Sequence, residues 1–103
     1  MKEFNIEEYN ELCAEFMGMK YVHSDWNWIM EVFEKIEESL GGLVSLEGNT
    51  CFMCVTIKYI NYNNTTVENY SKKEAAVQAI WHFLNWYKEN EQYIKENKSW
   101  NKK

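Results

Sequence analysis

A two-layer α+β fold, in the order α-α-β-β-(β)-α with helices on one face of a small antiparallel sheet, is predicted by three features of this chain. Two N-terminal segments repeat apolar residues at helical spacing, and the middle of the chain switches to β-rich runs broken by Gly48-Asn49. A long helical pattern then follows Ser71. Strands grouped together and bracketed by helices specify α+β rather than an alternating parallel-sheet fold. A length of 103 residues suits one core, so residues 1–103 are expected to form a single domain.

The first helix is expected over residues 5–17. Asn5 can cap it with Glu8 three residues on, and Phe4 and Tyr9 fit a hydrophobic staple. Tyr9, Leu12, Cys13, Phe16 and Met17 make one stripe, and Gly18 supplies a left-handed stop. Residues 19–23 read as a connector. Ser24 is the expected cap of a second helix over 25–39, with Trp26, Ile29, Met30, Phe33, Ile36 and Leu40 facing inward and Trp28 and Val32 on a flank.

Residues 43–47 and 50–60 read as strands joined at Gly48-Asn49. Met53, Val55, Ile57 and Tyr59 share the face predicted to meet the core. Asn61-Tyr62-Asn63-Asn64 reads as a turn, with a short third strand over 65–70. Ser71, backed by Glu74, caps a helix predicted to run from 72 to 95, and residues 97–103 form a polar tail expected to fray.

The composition excludes several functions. A net charge of −5 argues against nucleic acid as a partner, and all eleven basic residues are lysine, so arginine's bidentate recognition of phosphate or guanine is missing. No apolar run approaches the ~20 residues of a membrane span, and no signal-like segment opens the chain. Three cysteines without an export signal suggest reduced thiols and a cytoplasmic setting.

Chemistry-bearing patterns are sparse. Cys51-Phe52-Met53-Cys54 has CxxC spacing, but a strand points these two thiols to opposite faces, which suits buried structural cysteines better than a zinc or redox site. A metal site drawing on Cys13 and His23 is the remaining alternative. Asp25 is the lone aspartate among sixteen acids, and the glutamates fall on solvent faces of helices. There is no phosphate loop, nucleophile elbow or zinc-protease motif. No catalytic residue, metal or cofactor is therefore expected.

The surplus lies in aromatics, 17% of the chain with five tryptophans. Helical phase sends Trp26 to the core and Trp81 to its margin. It leaves Trp28, Trp86, Tyr93 and His82 on flanks, a predicted contact surface for a protein partner or a second copy. Lys58, Lys72 and Lys73 are the candidates to hold a phosphate, in an alternative where the chain sequesters a nucleotide by aromatic stacking.

Two resemblances add to this. Ser71-Lys72-Lys73-Glu74-Ala75-Ala76 resembles the start of the second helix of a double-stranded-RNA-binding domain, where lysines meet phosphates; a further lysine of that motif is Ala76 here. More of the chain, residues ~21–90, resembles small uncharacterised proteins of bacteriophages and prophages. The resemblance rests on a W-x-W-[IL]-M-x-V-x-E-K-I-E segment, here Trp26 to Glu37, and a closing helix with Phe83-Leu84-Asn85-Trp86-Tyr87. It implies a mobile-element, intracellular protein of no known activity. The leading expectation is a small non-enzymatic interaction protein acting on a host protein, with an anti-defence role as one form of it.

Overall fold

The computed structural model describes residues 3–19, 25–67 and 71–98. Seven elements follow one another: α1 (Ile6–Met17), α2 (Trp26–Leu40), β1 (Leu43–Glu47), β2 (Thr50–Ile57), β3 (Ile60–Val67), α3 (Lys72–Glu89) and α4 (Glu91–Lys98). The strands form one antiparallel sheet in the order β1-β2-β3, with helices packed on one of its faces. The α+β architecture predicted from the sequence is thus the observed one.

Local chemistry explains the boundaries. The Asn5 side chain accepts from the Glu8 N–H at 3.0 Å, and Gly18 ends α1 at φ 68°, a left-handed conformation costly for any residue with a Cβ. Asp25, and not Ser24, caps α2, accepting from the Trp28 N–H at 3.0 Å. Ser24 and His23 lie outside the described residues. Ser71 caps α3 by accepting from the Glu74 N–H at 3.0 Å.

The stripe of α2 is rotated from its expected phase. Trp28, Ile29, Val32, Phe33, Ile36 and Leu40 are buried, whereas Met30 is 48% exposed and Trp26 is half-buried. Ile29, Phe33, Ile36 and Leu40 fit either phase, so the outcome turns on Trp28 and Val32 against Trp26 and Met30. Trp28 and Val32 are buried because α1 and α3 both pack beside α2, with Trp28 against Cys13 of α1.

The second hairpin also lies elsewhere than predicted. β2 stops at Ile57, Lys58 turns the chain at φ 53°, and the Asn-rich segment read as a turn is the body of β3. Tyr59, assigned to the core face, is at the hairpin tip and 92% exposed. This two-residue turn pairs all eight positions from Thr50↔Val67 to Ile57↔Ile60. It also sets Ile60 and Tyr62 on the face of Met53, Val55 and Ile57, where a turn at 61–64 would have removed them. Residues 68–70 of the expected third strand lie outside the described residues.

The helix expected over 72–95 is two helices. Asn90 breaks it: its N–H is shared between the Trp86 and Tyr87 carbonyls at 3.1 and 3.2 Å, and its side chain donates to the Trp86 carbonyl at 2.9 Å. The bend lets α4 fold against β2 and brings Ile94 to complete burial. Between α2 and the sheet the approach is close. A Cβ on Gly42 would stand 2.8 Å from Val55 Cγ2 and 3.0 Å from Ile36 Cγ2, so only glycine fits. The predicted frayed tail is helical through Lys98, and the residues beyond lie outside the described set.

Candidate functional site

The aromatic flank predicted as a contact surface does not exist as one surface. Trp28 is 3% exposed and belongs to the core. Trp86 is half-buried, with its ring 5.4 Å from Tyr62 and 5.7 Å from Phe83. Tyr62 is the residue the misplaced turn had removed from the sheet, so the cover over Trp86 could not be seen from helical phase. His82 is half-buried against the Trp81 ring at 5.1 Å. The Tyr93 hydroxyl accepts from the Tyr59 N–H at 3.4 Å and ties α4 to the hairpin tip. Trp81, placed at the margin, is 1% exposed, and its indole N–H donates to Glu8 Oε1 at 3.1 Å.

The three candidate phosphate lysines are not together. Lys58 sits at the β2–β3 turn, while Lys72 and Lys73 begin α3 next to the opposite end of β3. Eight strand residues at ~3.3 Å separate the two ends by roughly 25 Å, too far for one phosphate. The groove between α1, α3 and α4, about 230 Å³, contains none of the three. Leu12, Phe16 and Leu84 floor it, and its rim charges pair with each other, Lys88 with Glu15 at 2.9 Å and Lys95 with Glu91 at 3.2 Å. The four charged groups on this rim thus engage one another.

The thiols divide as the strand geometry requires. Cys51 is buried on the helix side and Cys54 is half-buried on the other. Among the described residues no cluster of three or more His, Cys, Asp or Glu could hold a metal ion. Burial pushes the Cys51 thiol up to about 11. It does the same to Cys13, where the neighbouring Tyr9 and Trp28 side chains act in the opposite direction. Burial raises the Tyr62 hydroxyl to about 12 and raises Tyr9 as well.

Each of these groups holds its proton more tightly in the fold than in the unfolded chain. Their contribution is complete below about pH 9 and is lost as pH climbs toward 11 and beyond. Urea unfolding is therefore expected to show an unchanged midpoint between pH 7 and 8 and a clear fall by pH ~10.5. A midpoint that rises with pH there would contradict the burial of these groups.

Charge is segregated in a way the overall balance conceals. Residues 1–47 hold eleven acids and three lysines, and residues 48–103 five acids and eight lysines, giving −8 and +3. α1 and α2 carry eight glutamates and one lysine. That lysine, Lys35, turns inward: Nζ donates to the Phe16 carbonyl at 2.7 Å and lies 5.0 Å from the Phe16 ring. Glu7, Glu11, Glu31, Glu34 and Glu38 remain exposed, with Met30 among them on α2. A count of charge by half would have shown this from the sequence.

No helix among the described residues is long and apolar enough to cross a membrane. The run from α2 through α3 has the order α-β-β-β-α, and along α3 the next lysine after Lys73 is Lys88. No family model matches the chain, and neither a curated protein nor a solved structure matches it closely enough to carry an argument.

Proposed function

We propose that this chain is a small non-enzymatic interaction protein that binds a basic surface of a partner protein through α1 and α2. The supporting observation is the acidic helical layer, eight glutamates whose one lysine is turned into the fold. Concentrated carboxylates accelerate encounter with a basic partner, and an exposed methionine such as Met30 supplies adaptable apolar contact. The resemblance of the Trp26–Glu37 segment to phage and prophage proteins supports a mobile-element setting, with a host protein as the target and interference with host defence as one outcome.

The test is affinity capture from host lysate with wild type and the charge-reversed Glu31→Lys/Glu34→Lys variant. Basic proteins are expected on the wild type, reduced about tenfold or more on the variant, and released as NaCl rises, since a Debye length of ~8 Å at physiological salt shortens to ~3 Å at 1 M. Capture of the same proteins in the same amounts by both would remove the acidic layer as the binding surface.

A further inference from the structure

Among the described residues the helices cover only one face of the sheet. Cross-strand register assigns eleven positions to the other, from Leu43↔Cys54 and Ser45↔Phe52 across to Phe52↔Thr65 and Thr50↔Val67. Leu43 and Val67 are each 58% exposed, and Phe52 and Cys54 are half-buried at the centre, on β2. The remaining positions are serine, threonine and asparagine, except Glu47. One charge in eleven positions is unusual on a chain that is 26% charged.

We infer that this open face is where two copies of the chain associate, sheet against sheet about a two-fold axis near Phe52 and Cys54. Charge selects a second copy over another partner. A basic protein is drawn to the acidic helices, whereas this nearly uncharged face, with Phe52 and Cys54 at its centre, meets a second copy of itself under two-fold symmetry without opposing charges. Stacked layers lie ~10 Å apart, so face-to-face sheets hold the two acidic layers roughly 30 Å from each other, well beyond the ~8 Å screening length.

Size agrees with a weak dimer. Three strands ~4.8 Å apart and eight residues at ~3.3 Å make a flat footprint of roughly 350–400 Å². Side-chain relief raises this toward, and not past, the ~800 Å² per partner of a standard interface. The expected affinity is micromolar, and α1 and α2 stay open in the dimer, which becomes bivalent toward a basic partner.

Sedimentation equilibrium across two decades of concentration is the test. The average mass is expected to climb from 12.5 kDa toward twice that value, more readily in about 0.5 M NaCl because like net charges are then screened. Leu43→Lys/Thr65→Lys, at two exposed positions, is expected to weaken association at least tenfold while circular dichroism and melting of the dilute protein stay unchanged. Cys13 and Cys51 are fully buried, so a short thiol-to-thiol cross-linker should join wild-type chains through Cys54 and fail on Cys54→Ser. A monomer at every concentration, equal association by the lysine variant, or association that weakens with salt would each overturn the inference. The last two results would leave the acidic-layer proposal standing.

Discussion

Trp81→Ala is expected to cost about 3–5 kcal/mol, a large share of the 5–15 kcal/mol that holds a domain of this size together. The melting temperature should fall by roughly 15–30 °C. Trp81 is 1% exposed and joins the N-terminal segment to α3: the Phe4 ring meets it edge-on at 5.3 Å, and its N–H reaches Glu8 on α1. Removing it opens a void between α1 and α3 and leaves Glu8 without that donor. Trp81→Phe keeps most of the apolar contact and should cost clearly less, which separates packing from the hydrogen bond. A Trp81→Ala protein melting within a few degrees of wild type would mean that α1 does not dock on α3 as described.

The second large effect sets Trp28→Ala against Met30→Ala, two residues apart on α2. Trp28, 3% exposed and in contact with the Cys13 thiol, should again cost about 3–5 kcal/mol. Met30, 48% exposed, should change stability by no more than about 0.5 kcal/mol. Paired urea titrations decide it. Equal costs, or the larger one at Met30, would restore the helical phase predicted from the sequence and refute the rotated stripe.

That rotation shows where sequence reasoning reached its limit. The caps of α1 and α3 were readable because they are local: Asn5 with Glu8 and Ser71 with Glu74 need only three residues to act, whereas the α2 cap fell one residue later than expected, at Asp25. The core face of β2 was readable for the same reason, since alternation puts Met53, Val55 and Ile57 together whatever they meet. The phase of α2 was not, because Trp28 is buried by neighbours on other elements. The β2–β3 turn was missed because Lys58 and Tyr59 carry no turn chemistry, whereas Asn61 to Asn64 carry a great deal.

The site suffered from those two errors together. With Trp28 assigned outward and Tyr62 assigned to a loop, two tryptophans looked uncovered that the fold covers. The charge asymmetry between the halves was legible but hidden inside a modest total of −5. The open sheet face needed register. Only the pairing of Leu43 with Cys54 and Phe52 with Thr65 shows that these residues form one neutral surface.

The bonds from Trp81 to Glu8 and from Lys88 to Glu15 each span 73 residues, and this has a bearing on how the protein is made. At ~5–20 residues per second, a ribosome needs roughly 4–15 s after completing α1 to deliver the partners on α3. During that interval the nascent helix has α2 to pack on but not α3, and Phe16 still lacks the Phe83 and Tyr87 rings. α1, made before α3, is therefore locked in place only once α3 arrives, and it is where a chaperone would find a handhold on the unfinished chain.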